Sequence, residues 1–224
     1  MQEEEEKELI TNTSTMIDVA FNIECKTLPY DHAYGLSKAI TTILPWMNEN
    51  KFSGIHTLHG PDSGNGWVRS EDDEIFLSKR TRLILRIPRK HIDDAKQLEG
   101  KKINVLNNEI NIGKCYKKSF LVVRDLISRF VLTDNTLDEN KFLEHIHDEL
   151  KEYGVFIKKT ICGKTKNLII NNQKKYTRSL MIADLTKENC ILMQDKGIGQ
   201  GRVFGCGIFL PHKSIDAVAN FKEE

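Results

Sequence analysis

The segment Gly197-Ile198-Gly199-Gln200-Gly201-Arg202-Val203-Phe204-Gly205-Cys206-Gly207 constrains this chain most, because five glycines in eleven residues demand a special backbone. Each glycine gives up extra conformational entropy on ordering, so such a run suits positive φ or close backbone approach. Exposed amides in such a loop suit phosphate oxygens, and Arg202 adds a guanidinium. A dinucleotide-binding fingerprint needs a strand before the glycines and a helix after them. Here the order is inverted: a helix-like run, 187–196, precedes the loop and a strand-like run, 203–210, follows it. Arg202 also stands where the third glycine of that fingerprint belongs.

The same reading extends along the chain. Met16 to Glu24 alternates, with Ile17, Val19, Phe21 and Ile23 on one face and Asp18, Ala20, Asn22 and Glu24 on the other, which predicts a half-buried strand. Leu36, Ile40, Ile43, Leu44 and Met47 recur at helical spacing, with Asp31 as N-cap and Pro45 as terminator. Strand-like pieces follow at 55–60, 74–77 and 81–87, around a turn-rich stretch at 61–66. A short helix from Pro88 to Leu98 and a strand at 103–112 complete the order β-α-β-β-α-β.

The second half repeats it. Residues 119–132 are strand-rich, 138–153 form an amphipathic helix closed by Gly154, and 155–161 with 166–171 form a strand or hairpin. A strand at 177–183, a helix at 186–196 and a last strand at 204–210 follow. The fold class expected is α+β: tandem ferredoxin-like (RRM-like) βαββαβ domains with a C-terminal glycine-rich loop. The expected boundaries are a disordered acidic tail at 1–14, domains at 15–114 and 115–214, and a second tail at 215–224.

Charge distribution says more than its sum. The chain of 224 residues carries a net charge of +1, yet residues 1–8 hold five Glu and one Lys, which leaves +5 for the remainder. Ser78 to His91 contains Lys79, Arg80, Arg82, Arg86, Arg89 and Lys90 without an acid. Val155 to Ala183 contains Lys158, Lys159, Lys164, Lys166, Lys174, Lys175 and Arg178, again without one. Two acid-free basic segments point to a polyanion, the alternative being solvated strand faces that happen to be basic. On the strand 81–87, Arg82 and Arg86 share a face, so both could grip one phosphate path. Neither half carries the aromatic signature of a base-stacking RRM.

Five cysteines without a Cys-x-x-Cys pair read as reduced thiols, neither a zinc site nor a disulfide framework. No apolar run is long enough to span a membrane and the N-terminus is acidic, so a cytoplasmic protein without membrane contact is expected. No metal-nuclease signature occurs, and no metal or other cofactor is expected.

The short motifs Leu28-Pro29-x-Asp31-His32-x-Tyr34, Leu44-Pro45-Trp46, Gly54-Ile55-His56 and Gly205-Cys206-Gly207-Ile208-Phe209-Leu210-Pro211 stand in order on this pattern. With it, the chain resembles the CRISPR-associated endoribonucleases that cut precursor CRISPR RNA in its repeats, in the RAMP superfamily, MYXAN-subtype branch. The resemblance covers roughly Asp18 to Pro211. It implies metal-independent cleavage in which a ribose 2′-hydroxyl attacks the adjacent phosphate and leaves cyclic phosphate and 5′-hydroxyl ends.

That chemistry needs a base, an acid and a cation, and the resemblance implies where they sit. His32, at the start of the first helix, takes the family's catalytic place; the alternative is that it extends the apolar stripe of Leu36 and Ile40. His56 is the second proton-transfer candidate, equally readable as structural. His59 reads as a turn residue, and Tyr34 as a hydrogen-bonding partner or a packed tyrosine. Arg82, Arg86, Lys158, Lys159, Lys164, Lys166, Gly197, Gly199, Gly201, Arg202, Gly205 and Gly207 are the expected RNA contacts. CRISPR repeat RNA and CRISPR effector subunits are the expected partners. The competing functions are a catalytically silent RNA-holding subunit of an effector complex and a small-molecule binder on the same fold.

Overall fold

The computed structural model describes residues 14–60, 74–134, 137–157 and 159–212. The expected tails apart from Ser14, the turn at 61–66 and Lys158 lie outside these residues.

The first half builds a sheet in the order β3-β5-β1-β7-β6. Its strands are β1 (Met16–Glu24), β3 (Gly54–Ile55), β5 (Arg82–Pro88), β6 (Lys102–Val105) and β7 (Asn108–Lys118), while β2 (Thr27–Pro29) and β4 (Glu74–Phe76) pair separately. Helix α1 (Ala33–Ile43) lies between β2 and β3, and α2 (Ile92–Ala95) sits between two 3₁₀ turns before β6. Leu36 and Ile40 of α1 pack with Val19, Phe21, Leu83 and Leu85 in one buried cluster. Full burial of such side chains contributes about 1.5–3 kcal/mol each.

The second half contains β8 (Leu126–Thr133), α3 (Glu139–Glu152), β9 (Lys159–Cys162), β10 (Lys166–Ile170), β11 (Gln173–Ala183), α4 (Lys187–Lys196) and β12 (Leu210–Pro211). Its sheet runs β10-β11-β8-β12, with β9 also on β11. Asp138 caps α3 by accepting the Lys141 amide at 2.9 Å, and Thr186 caps α4 through the Asn189 amide at 3.2 Å. Phe142, Ile146 and Leu150 present one face of α3 to Leu126, Leu180 and Met193.

Three expectations change. The run 103–112 is a hairpin, β6 and β7, reversed at Leu106 and Asn107 with φ of 50° and 69°; no glycine marks that turn. Strand β7 continues to Lys118 and pairs with β1 through Asp18↔Lys118. A domain cut at 114/115 therefore falls inside a strand. The last strand is short, because Gly205 and Gly207 take φ of 80° and 67°, so residues 202–204 wind into a 3₁₀ turn and pairing starts only at Leu210.

The alternation of β1 also needs a correction, since Asp18 is 5% and Ala20 0% exposed. The second half covers the Asp18 end of the face predicted to be wet, while Asn22 and Glu24 at its other end are exposed as expected. Arg86, opposite Asp18 in the β1–β5 register, donates to the Gln194 and Phe209 carbonyls at 2.9 Å each. Its guanidinium also stands 4.6 Å from the Phe120 ring centroid. The expected phosphate contact at Arg86 is thus replaced by an internal tie, with the residue only 2% exposed.

Candidate active site

Pro45 ends α1 and turns the chain toward β3, after which residues 56–60 continue along the sheet edge. The His56 amide donates to the Ile84 carbonyl at 2.9 Å, which holds this segment against β5. A cleft of about 510 Å³ opens there, lined by His56, Thr57, His59, Arg80, Arg82, Lys118 and Arg129 among others, with Gly205 and Ile208 of the glycine segment closing it. Two imidazoles and four basic side chains share one concavity, and no carboxylate lines it among the described residues.

The histidines have unlike settings. His32 is 3% exposed, with Nδ1 2.9 Å from the Pro29 carbonyl and Nε2 accepting the Leu58 amide at 3.1 Å. These contacts fix a neutral tautomer with its Nδ1 proton on Pro29. Burial pushes its pKa down, against smaller upward pulls from the Pro29 and Tyr30 carbonyls and Asp31. His32 therefore stands one step behind the cleft, bracing the segment that carries the other two, and both ring nitrogens are committed. Asp31 is not the helix cap; His32 holds that position, without a side-chain capping bond.

His56 lines the cleft, and its Nε2 lies 3.6 Å from Asp18 Oδ1. Burial lowers its pKa and Asp18 pulls it back up. Asp18 itself accepts Arg86 Nε at 2.8 Å and Nη2 at 3.1 Å. Burial alone would raise that carboxyl, but Arg86 and His56 hold it well below the usual carboxylate range. His59 places Nε2 2.8 Å from Thr57 Oγ1, and burial together with Arg129, His32 and His56 pushes it down to about 3.

Sequence reasoning named His56 and Arg82, which the cleft brings together. It gave His59 to a turn and did not single out Lys118 or Arg129. Arg129 sits inside the apolar run of β8, so only its place across the sheet edge shows its role. Tyr34 is absent from the cleft lining; its hydroxyl donates to Asn171 Oδ1 at 3.1 Å. Lys164 and Lys166 are exposed around β10, while Lys159 is paired with Asp184 at 2.7 Å.

The glycine segment takes the backbone its composition demands, with φ between 63° and 80° at Gly197, Gly199, Gly201, Gly205 and Gly207. Its use differs from the expected phosphate cradle. The amides of Gly197, Ile198, Phe204, Gly205, Cys206 and Gly207 donate to protein carbonyls, and that of Gly199 to the Glu149 carboxylate at 2.8 Å. Arg202, 6% exposed, donates to the Lys196 carbonyl and to that of Gly199 at 2.7 Å. It closes the C-terminal end of α4 instead of facing a ligand. A Cβ on Gly205 would lie 2.5 Å from Thr57 Cγ2, so glycine is needed where the loop presses on the histidine segment.

The fold so described is shared with CRISPR-associated RNA proteins. A Cas6-related protein from Pyrococcus furiosus superposes with a TM-score of 0.62 at 12% identity, over 89% of this chain and 99% of that one. A RAMP protein described as binding different RNA substrates gives a TM-score of 0.59 at 12% identity, over 88% and 100%. The sequence profile described as Cas6 Crispr matches residues 17–214. The chain belongs to the Cas6 family, which places it among the CRISPR RNA-processing endoribonucleases. It is 25% identical over 200 residues to the CRISPR-associated endonuclease Cas6 of Myxococcus xanthus (strain DK1622), covering 89% of this chain and 83% of that protein.

Proposed function

We propose that this chain cuts precursor CRISPR RNA within its repeats and that the scissile phosphodiester lies in the cleft between His56, His59 and the four basic side chains. Imidazoles and cations converging on one concavity carry this reading. Arg80, Arg82, Lys118 and Arg129 supply positive charge where the crowded phosphorane forms. The 2′-oxygen attacks phosphorus, the bond to the 5′-oxygen breaks, and a cyclic phosphate and a 5′-hydroxyl remain. The reaction needs no metal in this scheme, because imidazoles move the protons and guanidinium groups take the charge.

His56 serves as one proton-transfer group, while His32 positions the segment and Tyr34 braces α1 against the turn after β10. Lys164 and Lys166 extend the basic track to the RNA flank beyond the cleft, and the glycine loop shapes the wall against which that flank lies. The spatial order of the strands supports tandem ferredoxin-like halves: in each sheet the first strand lies between the third and the last, with the second at the far edge. Among the described residues no helix is long and apolar enough to cross a membrane, and the proposed site of action is the cytoplasm, with CRISPR effector subunits receiving the product.

The test is a labelled repeat RNA, incubated with the protein in EDTA, beside the same RNA carrying 2′-deoxyribose at the cut. Cleavage of the first and intact binding without cleavage of the second are expected. Loss of activity in EDTA restored by a divalent ion, or a 5′-phosphate product, overturns the mechanism. Binding without any cleavage would identify a silent RNA-holding subunit.

A further inference from the structure

Of the large apolar side chains left most exposed among the described residues, Leu121, 57% exposed, is the one that lines the cationic cleft. Its backbone is fixed from behind. The Leu121 carbonyl accepts Gln194 Nε2 at 2.9 Å, and Gln194, 1% exposed, has its own carbonyl on Arg86 at 2.9 Å. The preceding Phe120 is buried with Met16 and Ile191, so the chain between β7 and β8 turns one side chain inward and holds the next one out. A lone exposed leucine is ordinary on a protein surface. One pinned by a buried side chain, in a cleft that Arg82, Lys118 and Arg129 also line, is placed for a ligand.

Ile84 and Pro211 line the same cleft, and neither side chain carries a polar atom. Cations and an apolar wall thus share one concavity, with no carboxylate in its lining among the described residues. A nucleotide complements both: its phosphate suits the cations, and the face of its base suits an apolar side chain. Phosphate contact alone would leave the leucine in water.

We propose that Leu121 is a base platform: the base of a nucleotide flanking the scissile phosphate leaves its stack and lies against the Leu121 side chain, with Ile84 and Pro211 beside it. This inference rests on the cleft being the cleavage site. Apolar side chains offer no hydrogen bond to a base edge, so the platform accepts any base and positions the backbone without reading sequence.

The test is a cycle of two proteins and three RNAs, read as affinity. Each repeat RNA carries 2′-deoxyribose at the cut; one keeps all its bases, and the others have an abasic nucleotide on one or the other side of the cut. Leu121→Ala should bind the complete RNA roughly tenfold more weakly than wild type, since it loses most of the apolar surface that the base covers, and Leu121→Met should bind as wild type does. Removing the base on one side of the cut should cost wild type the same roughly tenfold and Leu121→Ala almost nothing more. The melting temperature of Leu121→Ala and the salt dependence of its RNA affinity should match wild type, because the side chain is exposed and uncharged. Unchanged affinity in Leu121→Ala overturns the proposal, as do losses on base removal that are equal in the two proteins on both sides of the cut. A lowered melting temperature with full coupling absent would make the leucine structural and overturns it too. Failure of wild type to bind the repeat RNA refutes the nuclease reading itself, whereas wild-type binding beside an unaffected Leu121→Ala refutes the platform alone.

Discussion

A neutral histidine sealed behind the cleft makes the protein sensitive to acid before any catalytic group is considered. His32, His56 and His59 all have folded-state pKa values lowered chiefly by burial. For a histidine depressed in this way the stabilising contribution is full above its unfolded value, about 6.5, and is lost as pH falls toward the folded value. Wild type should therefore lose stability as pH falls below about 6.5, and go on losing it toward the folded values, about 3 for His59. His32→Leu should be less stable at neutral pH, because an orphaned buried Leu58 amide costs about 1–3 kcal/mol, and should show a shallower acid decline. Urea unfolding at several pH values decides this, and parallel declines for the two proteins would refute a buried neutral His32. At this scale the sequence shows which residue types matter and hides their partners. His56 stands out in Gly-Ile-His, but Asp18 reads as a wet position on an alternating strand, and nothing local reveals that Arg86 and the second half cover it.

Elements whose ends carry their own chemistry are legible, and those shaped by neighbours are not. Asp138 and Gly154 bracket α3, and Thr186 and Gly197 bracket α4, all visible from capping preferences. The β6–β7 hairpin is hidden because Leu106 and Asn107 make a left-handed turn without glycine. The glycine loop is visible as a special backbone, but its purpose depends on what it touches, and two substitutions separate the possibilities. Gly199→Ala meets only Val131 at 3.8 Å and should cost about 1 kcal/mol for its positive φ. Gly205→Ala adds a collision with Thr57 to the same strain. It should cost toward the upper end of about 1–3 kcal/mol and slow cleavage more than it weakens RNA binding, because the histidine segment shifts. Equal melting temperatures and equal rates for the two variants would count against the close contact of Gly205 with Thr57. Arg202 gives a parallel contrast. Arg202→Ala should destabilise α4 yet leave the salt dependence of RNA affinity unchanged, whereas Arg82→Ala should reduce that slope by about one phosphate contact. A shallower slope for Arg202→Ala would return that guanidinium to the RNA surface.

Among the described residues the two five-stranded sheets meet where Asp18 and Ala20 of β1 turn inward, and Arg86 is the polar centre of that contact. Its guanidinium meets Asp18 within the first half and the Gln194 and Phe209 carbonyls of the second. Net charge, basic segments and strand order suggest two halves and a polyanion ligand, but not that one of the most inviting arginines is spent on joining the halves. Met16, Phe120 and Ile191 form an apolar cluster nearby, so the contact does not depend on charge alone. Removing one member of a buried ion pair strands the other, at about 3–5 kcal/mol, whereas removing both and leaving apolar or neutral groups is often tolerated. Arg86→Met should therefore lower stability by about that amount, since Asp18 is only 5% exposed and both of its carboxylate oxygens accept from Arg86. Adding Asp18→Asn should recover a large part of the loss, although cleavage should stay impaired because His56 has lost its carboxylate. Calorimetry and urea unfolding on the two single variants and the double variant form a closed cycle. Additive losses in the double variant would show that Asp18 and Arg86 act independently, and that the two halves are joined by apolar packing without this pair.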